Sequence, residues 1–119
     1  MQEDGESCYA AALMHAFGRG VRQNYVDAAL LLQRCLRLDP KHSGAAYYLG
    51  VMHAHGQGMP TNYEVARAYF QQAVDGSDDI VRPDARAALA ELSSAIALAQ
   101  ANADVHLNQL ARAVGRDTL

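Results

Sequence analysis

The chain repeats itself at a constant offset of 38 positions, counted from 18 to 56, 25 to 63 and 28 to 66. Gly18-Arg19-Gly20, Asn24-Tyr25 and Ala28 recur as Gly56-Gln57-Gly58, Asn62-Tyr63 and Ala66, and the same step carries Tyr9 onto Tyr47 and Met14-His15 onto Met52-His53. A period in this range belongs to stacked supersecondary units, each burying its apolar face on the next. The repeat therefore fixes architecture first and chemistry only indirectly.

Punctuation by Gly, Pro and Asn divides the repeat into helices. Cys8, Leu13, Met14 and Phe17, with alanines between them, follow helical spacing, and Gly18 and Gly20 end that run. Asn24 is a good N-cap for a second run from Tyr25 to Leu38, stopped by Asp39-Pro40. A third run begins near Ser43 and reaches Gly56, and a fourth runs from Asn62 to Gly76. Pro40 and Pro60 fall between runs, where a missing N–H does no harm. Beyond the polar stretch Ser77 to Arg82, Pro83-Asp84 supplies a helix start, and Leu89, Leu92, Ile96, Ala99, Ala103, Leu107, Leu110 and Val114 keep spacings of three and four. One long helix satisfies that stripe, and so does a pair broken near Asn102-Ala103-Asp104. The expected fold is an all-α, right-handed helical-hairpin solenoid in a single domain over 1–119. Repeat one spans 7–42, repeat two 43–80, and 83–115 forms a C-terminal helical cap or a diverged third repeat.

Composition removes several classes of function. The net charge is −3 with a pI near 5.9, so no basic field exists to neutralise a phosphate backbone, and no nucleic-acid partner is expected. No apolar run approaches the roughly 18 residues that a membrane span needs. The start, Met1 to Glu6, is acidic and lacks the apolar core of a secretory signal, which reads as cytoplasmic or as a piece of something longer.

The spaced pattern Ala46-x-x-Leu49-Gly50-x-Met52-His53-x-x-Gly56-x-Gly58, followed by Asn62-Tyr63-x-x-Ala66-x-x-Tyr69-Phe70-x-x-Ala73, resembles the Sel-one-like repeat family. That family is a branch of the tetratricopeptide-like helical repeats. Unit one carries the pattern with Cys8, Ala11 and Ala12 for the alanine, leucine and glycine, and Leu31-Leu32 for the aromatic pair. His15 and His53 stand where the family commonly has an aromatic residue. The resemblance implies adaptors or scaffolds that bind other proteins, and nothing catalytic. Some secreted members cross-link each helical pair through cysteines, and the first hairpin could bring Cys8 and Cys35 together in a disulfide, which would imply export; Cys35 is offset by one residue from that pattern, unit two has no cysteine and no export signal is seen, so reduced core thiols are expected.

Read residue by residue, the chemistry stays structural. His53 and His55 are rotated about 200° apart on a helix and cannot share an ion, and His15 sits a full unit from His53, so no zinc, other metal or cofactor is expected. The Gly pairs lack the preceding strand and following Lys-Ser/Thr of a phosphate loop and read as helix ends. Asp78-Asp79 lies in a polar linker, and no nucleophile, base and orienting group assemble, so no enzyme is expected. Gly50 and the small Ala28 and Ala66 read as close-packing positions.

One surface remains. Positions facing away from the packed set are Tyr9, Leu13 and Phe17 in unit one, with Tyr47, Val51 and His55 as their equivalents, two rows on the concave face of the stack. A bound peptide or helix would cover them, and so would the C-terminal segment folding back. The function expected is a non-catalytic protein-interaction module, adaptor or scaffold. Alternatives are a small chaperone or assembly factor for a secretion or envelope system, or a regulatory fragment of a larger protein. Two full repeats are few for a solenoid, which points to truncation or a homodimer.

Overall fold

The computed structural model describes residues 4–117, with side chains to Val114; Met1, Gln2 and Glu3 of the acidic start lie outside the described residues. Five helices follow one another with no strand among the described residues: α1 Gly5–Phe17, α2 Tyr25–Leu38, α3 Ser43–His55, α4 Tyr63–Asp75 and α5 Val81–Asp117. The local chemistry sets each start. Asp4, Asn24 and Asn62 cap α1, α2 and α4, their side-chain oxygens accepting from the backbone N–H three residues on at 2.7, 3.1 and 3.1 Å.

The 38-residue period survives as backbone geometry. Gly18 and Gly56 end α1 and α3 in the left-handed region at φ 67° and 68°, and Gly20 and Gly58 follow at 74° and 81°. Behind each glycine turn, the Asn24 and Asn62 amides donate to the carbonyls of His15 and His53 at 2.8 and 2.9 Å. Each hairpin is thus closed by the same bond in both units. Gly58 also carries the stacking between units, because a Cβ there would lie 2.9 Å from the backbone of Tyr25 at the start of α2. Its equivalent, Gly20, meets only the end of the Met14 side chain at 3.8 Å.

Packing follows the pattern of small residues against large. Cys8, Ala12, Ala28, Leu32, Cys35, Ala45, Leu49 and Met52 form one buried cluster that spans α1, α2 and α3. Inside the second hairpin Gly50 faces Phe70, and a Cβ on Gly50 would sit 2.6 Å from two carbons of that ring. Unit one places Ala12 and the smaller Leu32 at these positions, both buried. A larger residue on one helix is matched by a smaller one on the other.

The C-terminal segment is one unbroken helix. It begins at Val81, two residues before Pro83, which lies in the first turn where its missing N–H costs nothing. The preceding linker is stitched to the start of α3: Ser77 N–H donates to the Lys41 carbonyl at 3.0 Å and Asp78 N–H to Ser43 Oγ at 3.0 Å. Arg82 donates to the carbonyls of Val74 and Gly76 and pairs with Asp79. Ala85, Ala88, Leu89, Leu92 and Ile96 then pack against α4 and α3, in clusters with Ala46, Ala66, Phe70 and Ala73. From Ala97 to Val114 every side chain is exposed. The result is a helical-hairpin solenoid of two repeats closed by a capping helix whose second half projects beyond the stack, giving a longest extent of 74 Å.

Candidate functional site

The first helices of the two units, α1 and α3, together with α5 form one face of the stack, and the six residues read as a binding surface distribute unevenly over it. Phe17 and His55 are exposed, Phe17 at 53%. Tyr9, Leu13, Tyr47 and Val51 are half-buried. The Tyr9 ring lies in the gap between α1 and α3, 4.6 Å from His42 and 6.1 Å from Tyr48. Tyr47 occupies the equivalent gap between α3 and α5, 5.7 Å from both Tyr48 and Phe70. The two tyrosines are therefore wedges between successive helices as well as parts of a surface. Burial pushes the Tyr9 phenol up to about 12, with Tyr48, Glu6 and Asp78 adding to the shift, and it raises Tyr47 too, with Asp84, Tyr48 and Glu91 contributing.

Tyr47, Val51 and His55 line a cleft of about 290 Å³. The buried Phe70 and the exposed Tyr63 of α4 also line it, and α5 contributes Ala88, Glu91, Leu92 and Ala95. The C-terminal helix thus stands beside the second row and walls it instead of lying across it. Beside the unit-one row stands α3, where Tyr48 meets Phe17 edge-on at 6.1 Å, and the Arg19 guanidinium lies 5.6 Å from the Phe17 centroid.

His42 carries a role that the sequence patterns above do not single out. It is 9% exposed and caps α3, its Nδ1 accepting from Ala45 N–H at 3.1 Å. That geometry puts the ring proton on Nε2, which donates to Glu6 Oε1 at 2.7 Å. One imidazole therefore starts the second repeat and ties it to the first. Its position just before the Ser43 helix start was the available signal, but histidine is not among the usual capping residues.

The remaining candidates sort into packing. His53 stacks on Tyr69 with centroids 5.5 Å apart and planes 19° from parallel, and Nδ1 of both His15 and His53 is buried with no hydrogen-bond partner among the described residues. Burial lowers the His53 pKa from 6.5. The neutral ring is favoured in the fold, so as pH falls through 6.5 the unfolded chain takes up a proton that the folded chain resists. His53 thus contributes stability above that pH which is lost progressively below it. The melting temperature is expected to fall between about pH 7.5 and pH 5, and to fall less in His53→Phe; parallel curves would show that this ring is not the titrating group. Cys8 and Cys35 are both buried and free, and burial, with Cys8 nearby, pushes the Cys35 thiol up to about 11, far from a reactive thiolate. Among the described residues no group of three or more His, Cys, Asp or Glu side chains converges to hold a metal ion, and no helix is long and apolar enough to cross a membrane.

A family model described as Sel1 repeat matches residues 5–37 and 43–78, together more than half of the chain. Its two matches coincide with the α1–α2 and α3–α4 hairpins. No curated protein and no solved structure matches the chain at a significant level.

Proposed function

The chain belongs to the Sel1 repeat family, whose repeats are generally protein–protein interaction modules, and from that premise we propose that it acts as a non-catalytic adaptor holding a peptide or helix of its partner on the α1–α3–α5 face. The cleft between α3 and α5 carries this reading. Its volume of about 290 Å³ suits one or two side chains, Phe70 and Leu92 give it an apolar base, and Tyr47, Val51 and His55 line it from one repeat row. Phe17 and Leu13 extend the same face over unit one.

Exposed small residues allow a test that leaves the core alone. Ala95 is exposed on the cleft wall, so Ala95→Trp should fill the cleft while keeping the helical circular dichroism of the parent. A protein captured by the parent and lost with Ala95→Trp, and weakened by Phe17→Ala, is the expected result. Capture that ignores both substitutions would sink the groove reading.

A second reading, self-association, rests on α5. The face that buries Ala85, Leu89, Leu92 and Ile96 continues outward as Ala99, Ala103, Leu107 and Leu110, with Leu107 61% and Leu110 50% exposed. A projecting helix that stands alone is ordinarily laced with charge pairs, yet Asp104 is the one charge between Ser93 and Ala111. A second copy laid along this stripe would meet no like-charge penalty there. Light scattering should show a dimer that Leu107→Asp with Leu110→Asp converts to a monomer; a monomeric parent ends this reading.

A further inference from the structure

The cleft has a charge pattern that selects among peptides. α1 and α3 contain no Lys or Arg at all; Glu6, Asp39, Asp78 and Asp79 line a separate cleft at the start of α3, and α5 brings Asp84 and Glu91. Asp84, Ala88, Glu91 and Ala95 recur at spacings of three and four and share one side of α5, while Arg82 and Arg86 are rotated about 160–200° away from it. Arg82 is held on that far side by the Val74 and Gly76 carbonyls. Glu91 itself lines the cleft. Arg19, in the loop after α1, stands over Phe17 at the far end of the face. Between these carboxylates runs a chain of ring contacts, from His42 through Tyr9, Tyr48 and Tyr47 to Phe70, with successive centroids 4.6, 6.1, 5.7 and 5.7 Å apart.

We propose that the α3–α5 cleft receives an aliphatic or aromatic side chain from a basic peptide segment, and that Lys or Arg residues on either side of this anchor pair with Glu91 and Asp84. The proposal rests on the adaptor reading above and names the chemistry of its partner. Two features carry it jointly. An apolar base with an aromatic rim favours burial of one bulky side chain, and a tyrosine-lined wall with carboxylates of one sign favours cations, which also pair with ring faces. Asp84 and Glu91 are seven residues apart, so they recur about 10 Å apart along α5, Glu91 lining the cleft and Asp84 lying beyond its end toward the start of the helix. That spacing separates two basic residues of the partner with room for an anchor between them. An acidic or polar-neutral segment would instead leave Asp84 and Glu91 without a countercharge.

Panning a phage-displayed library of random dodecapeptides on the full chain tests this, followed by fluorescence anisotropy on the most enriched peptide as a labelled synthetic. Enriched peptides are expected to carry net positive charge around an apolar residue. A twin with its Lys and Arg changed to Glu should bind at least about tenfold more weakly. Glu91→Gln with Asp84→Asn, both on the exposed surface of α5, should weaken the parent peptide about fivefold and flatten its salt dependence without changing helicity. Ala95→Trp should abolish binding. Neutral or acidic peptides that Ala95→Trp nevertheless blocks would overturn this inference and leave the adaptor reading standing, as would basic peptides indifferent to the double carboxylate substitution. Enrichment no greater on the parent than on Ala95→Trp would remove both.

Discussion

A chain ending at Ile80 loses its cooperative thermal transition, whereas one ending at Gln100 melts within about 5 °C of the parent, a difference under roughly 1 kcal/mol. The two cuts remove different things. Ending at Gln100 discards only side chains that are exposed as far as they are described. Ending at Ile80 uncovers Ala46, Ala66, Phe70 and Ala73, which lie in clusters completed by Ala85, Ala88, Leu89, Leu92 and Ile96. Leu92 is 6% exposed, and burying a side chain of its size contributes about 1.5–3 kcal/mol. With the part-buried Leu89 and Ile96 added, the first half of α5 supplies several kcal/mol, a large fraction of the roughly 5–15 kcal/mol expected of a domain. A short repeat array needs such an end. Circular dichroism melts of the two truncations decide the matter, and a sharp transition in the Ile80 chain would show that two hairpins suffice without the cap.

The hairpins were legible because their signals are local. Each unit needs two glycines at positive φ and an Asn cap at a fixed distance, and these recur at identical spacing, so the turns and the α2 and α4 starts could be placed to the residue. The small residues were legible for a related reason. Gly50 in mid-helix costs about 1 kcal/mol against alanine unless a partner demands the space, and Phe70 does. What escaped was non-local. Nothing in the spacing of Leu89, Leu92 and Ile96 states against which helix they pack, so the wall that α5 raises beside Tyr47 could not be drawn from the pattern. The length of α5 was equally open, since a stripe at spacings of three and four fits one helix or two. His42 escaped because its two bonds, to Ala45 and to Glu6, join a cap to a residue 36 positions away. Tyr9 and Tyr47 show the same limit from another side: the repeat identifies them as equivalent, but only the neighbouring helices reveal that equivalent positions sit in successive gaps.

Those gaps explain why site and fold share residues. Tyr47 packs in both clusters that α5 completes and also lines the cleft. A substitution such as Tyr47→Ala therefore mixes loss of packing with loss of surface, and Ala95, Phe17, Asp84 and Glu91 are the cleaner probes because they are exposed. Recognition is built from the sides of residues whose other sides hold the stack.

Phe70→Ala should cost about 3–5 kcal/mol, because it empties the space beneath Tyr47 and against Leu92 at a residue only 3% exposed. The sharper result concerns its partner. Gly50→Ala gains about 1 kcal/mol of helix propensity, but the new methyl carbon would lie 2.6 Å from the ring carbons of Phe70. The ring cannot swing aside freely, since Tyr47 lies 5.7 Å away and Leu92 closes the same cluster. Overpacking of this kind costs about 1–3 kcal/mol, and two at the upper end is expected after the propensity gain is subtracted. Unit one indicates the remedy, for there alanine stands at the glycine position and leucine at the ring position, Ala12 and Leu32 both being buried. Gly50→Ala combined with Phe70→Leu should accordingly lose less than the sum of the two single losses, with a coupling of about 1 kcal/mol or more measured by urea denaturation of all four chains. Strict additivity would mean that the glycine and the ring do not oppose one another, and that the 38-residue repeat does not extend to how each hairpin fills its interior.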